Sequence, residues 1–189
     1  MKILFLTNNE ITNSLYDWLS GKKDVIGLKL KHPLTIDILK ALSPDFVISY
    51  NYKHIIKEDV LKVLDNKIIN LHISYLPYNK GAHPILWSVV EGTLSGVTIH
   101  IIDKGIDTGK ILVQKIVELD KENDTLQSAY QKLHKEIQQL FIENWDKIKN
   151  GGIKPYKQIG QGTYHNVVNF SRFVKKYKKF NWNMKIKDI

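Results

Sequence analysis

The chain of 189 residues contains no cysteine, which excludes a disulfide framework and any thiolate metal site. A chain without thiols suits a reducing compartment, and the expectation is a cytoplasmic protein. Long hydrophobic runs are also missing. No stretch approaches the roughly 20 apolar residues that a membrane-spanning helix needs. The opening run Met1-Lys-Ile-Leu-Phe-Leu-Thr-Asn is too short for the core of a signal peptide. No membrane partner is therefore expected. Acidic residues are scarce at one end only. From Lys147 to Ile189, ten lysines and Arg172 face Asp188 alone, a net +10 that leaves −1 for the first 146 residues. A lysine-rich end can meet nucleic acid, an acidic membrane surface or an anionic small molecule, or it can simply keep the chain soluble.

Hydrophobic residues make up 43% of the chain, enough to bury a core. Lys2–Thr7, Val25–Leu30, Phe46–Tyr50 and Lys67–His72 read as strands. Ile11–Leu19, Leu34–Leu42 with Pro33 in its first turn, and Lys57–Leu64 read as the helices between them. Such alternation predicts an α/β fold, an open and mostly parallel twisted sheet with helices on both faces. Gly96–Asp103 and Lys110–Leu119 suggest an antiparallel hairpin near the end of the sheet. Asp124 and Gln127 resemble a capping box that starts a long helix. Its apolar stripe is Leu126, Tyr130, Leu133, Ile137, Leu140, Phe141, Trp145 and Ile148, read as core. Two units are expected: a domain over 1–150 and a basic, aromatic-containing extension over 151–189.

The residues with chemistry gather around one strand end. Asn70 and His72 lie two apart in Asn70-Leu-His72-Ile-Ser74-Tyr-Leu-Pro77, so a strand would project both from one face. Then come Lys80-Gly81-x-x-Pro84-x-x-Trp87, Thr98-x-His100 and Gly105-Ile-Asp107-Thr-Gly109. Asp107, in its glycine-flanked loop, could bring a carboxylate to the imidazole. Each member alone is an ordinary strand-end or turn residue. The ordered set is not ordinary, and it resembles the catalytic domain of the folate-dependent formyltransferases.

That resemblance implies formyl transfer from 10-formyltetrahydrofolate, a co-substrate, to a primary amine. Catalytic roles fall on Asn70, His72 and Asp107. Asn70 and a protonated His72 would donate to the developing oxyanion, and Asp107 would keep the imidazole charged. The folate is expected between the loops Asn51–Ile56 and Asp103–Ile106, with Tyr50, Ile55, Ile56, Leu76, Asp103 and Ile106 as contacts. Asn8, Asn9, Ser74, Lys80, Gly81 and His83 are assigned to the acceptor. No metal is expected, although His72, His83 and His100 could be read as a ligand trio.

Departures from relatives point to the acceptor. Thr7-Asn8-Asn9-Glu10-Ile11 has no glycine where glycinamide ribonucleotide transformylases carry a phosphate loop. The chain also offers no room for the second domain of methionyl-tRNA formyltransferases. The expected acceptor is a small anionic molecule, a nucleotide-linked amino sugar destined for a surface polysaccharide. Gln158-Ile-Gly-Gln-Gly-Thr-Tyr-His165 further resembles the segment that follows the catalytic domain in the sugar and tRNA enzymes. The alternatives are phosphoribosylglycinamide as acceptor, a catalytically inactive partner protein, and a nucleic-acid-binding module using the basic tail with Phe170, Phe173, Tyr177, Phe180 and Trp182. A homodimer is one option for the assembly.

Overall fold

Strands β1 (Lys2–Leu6), β3 (Phe46–Tyr50) and β4 (Ile68–His72) are near-continuous apolar runs because both of their faces are covered. The computed structural model describes residues Met1–Ile189. Ile3, Phe5, Ile48, Ile69 and Leu71 point into the larger core, with α1 (Asn13–Ser20), α4 (Pro84–Val90) and α5 (Leu126–Lys149). Their neighbours Leu4, Leu6, Val47 and Ile68 point the other way, into a smaller core under α2 (Ile36–Leu42) and α3 (Glu58–Leu64). The alternation is the two-residue period of an extended chain. It puts helices on both faces of the sheet, as expected.

With β2 (Ile26–Leu30), β6 (Gly96–Ile101) and β7 (Ile111–Ile116), the strand order is β2-β1-β3-β4-β6-β7. The first four strands are parallel, and β4–β6 and β6–β7 are antiparallel. The expected hairpin is therefore present. Its register slips at Ile99/His100, where β7 carries an extra residue. Such bulges re-aim side chains.

Some boundaries move for identifiable reasons. Thr35 caps α2 by accepting the Ile38 N–H, so Pro33 precedes the cap instead of opening the helix. The capping box of α5 is Thr125 with Ser128, one residue beyond the predicted pair, while Asp124 accepts the Ser128 hydroxyl. Asn9 caps a 3-10 turn at Glu10–Thr12 ahead of α1. Most of the α5 stripe is buried, but Tyr130 is only half-buried at the rim.

The last forty residues wrap back over the domain. Strand β8 (Tyr164–His165) pairs with β5 (Lys80–Gly81) in a separate two-stranded sheet, and α6 (Val167–Lys176) follows. Phe170, Phe173, Phe180 and Trp182 pack against the larger core, and Ile186 is buried within it. The carbonyls of Met184 and Trp182 accept the Leu126 and Gln127 N–H groups at 3.1 and 2.8 Å. Those are first-turn donors of α5, which a helix cannot satisfy internally. The aromatic residues of the tail are thus packed as a strap.

Candidate active site

Asn70 and His72 share the parity of Ile68 and emerge at the carboxyl end of β4, where open α/β sheets present their ligand sites. The antiparallel pairing of β6 sets His100 opposite Asn70 and Thr98 opposite His72. Asp107 reaches this point from the β6–β7 loop with a left-handed backbone, φ 52°. The structure thus brings Asn70, His72 and Asp107 together and adds His100.

The polar side chains of the cluster bond to one another and to nearby backbone groups. The Asp107 carboxylate accepts from Asn70 Nδ2 at 3.1 Å and from the Gly81 N–H at 2.8 Å. It lies 3.3 Å from His100 Nε2 and 3.7 Å from His72 Nδ1. His72 Nε2 donates to the Asn79 carbonyl at 3.1 Å. A carbonyl only accepts, so Nε2 carries the proton and Nδ1 of the neutral ring is bare. By the same logic His100 Nδ1 donates to the Ile101 carbonyl at 2.9 Å, which leaves Nε2 to accept from Asn70 Nδ2 at 3.3 Å. Both amide hydrogens of Asn70 are therefore engaged at rest.

Burial decides the charges. It pushes the His72 imidazole below its ordinary value, and the pull of Asp107 only partly offsets this. The resting ring is neutral, not the imidazolium expected from the sequence. Burial also opposes ionisation of Asp107, but the rings of His72 and His100, which any added proton charges, outweigh it together with the Gly81 N–H. They hold this carboxyl well below the usual range.

The cluster forms the floor of a cleft of about 680 Å³. Of the expected contacts, Asn8, Asn9, Ile55, Ile56, Asp103 and Ile106 line it, as do Gly81 and His83. Ile55 is 79% exposed and Ile106 43%, on loops from β3 and β6. His83 stacks on Phe170 with ring centroids 3.7 Å apart, and its grouping with His72 and His100 does not form a metal-holding cluster.

Four expected contacts are not brought to the cleft. Tyr50 is buried in the core with its hydroxyl on His134 Nδ1 at 2.6 Å, because alternation turns it inward with Ile48. Ser74 is buried and donates to the Tyr78 carbonyl at 2.9 Å. Leu76 is buried beside it, its N–H on the Thr98 hydroxyl at 3.2 Å. The Lys80 backbone is committed to the Thr163 carbonyl at 3.0 Å, and the residue does not line the cleft.

Sequence reasoning missed four contributors. His100 was signalled by Thr98-x-His100, which an antiparallel partner turns toward Asn70. Tyr130 was read as core because it fits the helical stripe. Its hydroxyl accepts from Asn9 at 3.2 Å and Asn51 at 3.3 Å, leaving its one hydrogen for the cleft. Val167 and Trp182 wall the cleft from the strap, and no local signal announces them.

The family model described as formyl transferase matches residues 28–144. The chain belongs to the formyl transferase family. It is 38% identical over 162 residues to a methionyl-tRNA formyltransferase of Thermodesulfovibrio yellowstonii, covering 85% of this chain and 51% of that protein. The chain thus spans about half the length of the curated relatives it matches. The crystal structure of the formyltransferase PseJ from Anoxybacillus kamchatkensis is 37% identical with a TM-score of 0.90, covering 99% of this chain and 96% of that one. A sugar N-formyltransferase from Shewanella sp. shares the fold at 20% identity and a TM-score of 0.81, over 97% of this chain and 82% of that one. No helix is long and apolar enough to cross a membrane.

Proposed function

We propose that this protein transfers a formyl group from 10-formyltetrahydrofolate to the primary amine of a nucleotide-linked amino sugar. The observation that carries this reading is the extent of the likeness to PseJ, over 99% of this chain and 96% of that one. It therefore includes the strap, whose Val167 and Trp182 wall the cleft. PseJ was crystallised with UDP-4,6-dideoxy-4-formamido-L-AltNAc and tetrahydrofolate. A 4-formamido group is what formylation of a 4-amino group leaves. The acceptor we propose is the corresponding UDP-linked 4-amino sugar.

The residues present suit both substrates. Ile55 and Ile106 are apolar yet exposed, on facing loops, which fits a planar pterin between them. The folate supplies the formyl group. Its C–N bond breaks as the sugar nitrogen forms the new amide. The bare Nδ1 of His72 takes the proton that the sugar nitrogen loses, and Asp107, facing that atom, stabilises the resulting charge. The charged ring then passes the proton to the folate nitrogen as the C–N bond breaks, so that tetrahydrofolate leaves as the neutral amine. Asn70 turns one amide hydrogen from His100 to the formyl oxygen as negative charge develops there. The free hydrogen of Tyr130 serves as a donor to an oxygen of the acceptor.

A product assay by mass spectrometry tests the reading, with 10-formyltetrahydrofolate and the UDP-linked 4-amino sugar. Formation of the formamide supports it. No product, with no shift in melting temperature on adding UDP, rejects the acceptor. The 38% identity to a methionyl-tRNA formyltransferase favours a second reading, with methionyl-tRNA as acceptor. Formylation of charged initiator tRNA in the same assay would select it.

A further inference from the structure

Asp107 holds a backbone conformation that residues with a side chain seldom adopt, φ 52°, so something must hold its loop in place. At the front of the loop, the Asp103 carboxylate accepts from the Gly105 N–H at 3.0 Å and the Thr108 hydroxyl at 2.6 Å. At the back, Gly109 closes against β6, where a Cβ would meet the Ile101 carbonyl oxygen at 1.7 Å. A further restraint comes from beyond residue 150. Gln158 Nε2 donates to the Asp107 carbonyl at 2.8 Å and to the Gly109 carbonyl at 2.9 Å.

Both partners are carbonyls, so the orientation of the amide is unambiguous. Its NH2 faces the loop, and its Oε1 is buried with no partner. A buried acceptor without a partner is costly. The loop is bridged in spite of that cost. Gln158 itself is anchored close by. The Ile111 and Tyr156 backbones exchange two hydrogen bonds, of 2.8 and 3.0 Å, which fasten the incoming segment to the first residue of β7. The same Asp107 whose carbonyl is clamped presents its carboxylate to His72 and Asn70.

We infer that Gln158 is a positioning residue for formyl transfer, its carboxamide holding the Asp107 backbone so that the carboxylate meets His72. The inference rests on the roles proposed above for Asp107 and His72. The Gln158 carboxamide bonds neither the Asp107 carboxylate nor the His72 ring; it acts on the main chain that carries the carboxylate. The segment after residue 150 is thereby part of the catalytic apparatus, not only a cover.

Gln158→Met keeps the length and removes both donors. The whole chain carrying this change is compared with the unchanged protein by steady-state kinetics and by an NMR titration of the His72 ring. His72 is faced by Asp107 from the β6–β7 loop and by His100 from β6. A misplaced carboxylate should lower kcat roughly tenfold to a hundredfold, with little change in either KM. It should also move the His72 titration to lower pH, since Asp107 favours the charged ring. Unchanged kcat with an unchanged titration overturns the inference, even if the melting temperature falls. If the unchanged protein forms no formamide, the proposed reaction fails, and the titration alone still decides whether Gln158 sets the carboxylate against the imidazole. Should Gln158→Met not fold, Gln158→Glu at neutral pH serves the same comparison, because its carboxylate can donate to neither carbonyl.

Discussion

The Asn79 carbonyl takes the Nε2 proton of His72 at 3.1 Å, and that one bond selects Nδ1 as the nitrogen that faces Asp107. The ring can then accept a proton only on the side of the carboxylate. Asn79 is itself held by Thr163 of the strap, whose hydroxyl accepts the Asn79 N–H at 2.8 Å. Two segments far apart in sequence therefore set the tautomer of one imidazole.

Activity should depend on this pair in a defined direction. In the proposed mechanism the neutral ring is the active form, so kcat/KM should fall as pH drops through the His72 value. Burial places that value below the ordinary ~6.5. Asp107→Asn removes the group that pulls it up, so the acid limb of the profile should move to lower pH while kcat falls roughly a hundredfold or more. A limb that moves upward would show that Asp107 does not stabilise the charged ring.

Ile55→Asp should separate ligand binding from folding. The side chain is 79% exposed, so the melting temperature should barely change. A carboxylate placed against a bound pterin loses its water without gaining a partner. Calorimetry with a stable folate analogue should report at least roughly tenfold weaker binding, a loss of ~1.4 kcal/mol. Undiminished affinity would place the pterin elsewhere.

A second buried imidazole should make stability depend on pH. Burial pushes His134, bonded to the Tyr50 hydroxyl, down to about 4. Unfolding restores a value near ~6.5, so protons favour the unfolded chain. The contribution is whole above about pH 6.5, declines as pH falls, and is gone once pH has passed through about 4, on the order of 3 kcal/mol in all. Urea unfolding of His134→Gln between neutral pH and pH 4 should show a shallower decline than the unchanged protein. Parallel curves would contradict this.

Truncation from Arg172 onward removes Phe173, Phe180, Trp182 and Ile186 from the larger core and uncovers the first turn of α5. The melting temperature should fall sharply, since each large apolar side chain lost from a core typically costs ~2–5 kcal/mol. Unchanged melting with a raised acceptor KM would instead make the tail a charged device for gathering an anion.

Much of the site was legible because its residues obey the strand period. Asn70 and His72 are two apart, and the glycines around Asp107 mark a loop at the right distance along the chain. The contacts misplaced from sequence fail for physical reasons. Tyr50 looks like the last residue before a binding loop, yet its parity matches Ile48 and turns it into the core. Ser74 and Leu76 follow β4 closely but fold under it, where Thr98 ties down their backbone groups. Tyr130 sits on an apolar stripe and is nonetheless a rim residue, since the helical period does not say where a helix leaves the sheet.

By itself, the sequence determined the local terms of this protein. Apolar runs with a period of two and a stripe with a period of 3.6 specify the elements, and turn residues separate them. The ordered Asn, His and Asp motif carries the resemblance to the family. Only the tertiary structure decided which groups meet. His100 joins the site through an antiparallel pairing 30 residues away, and Gln158 reaches the Asp107 carbonyl across 51. The charge of His72 was likewise undecided until its burial was known, because desolvation and the facing carboxylate push it in opposite directions. Proximity in space and exclusion of water are properties of the packed chain, and no local pattern of residues encodes them.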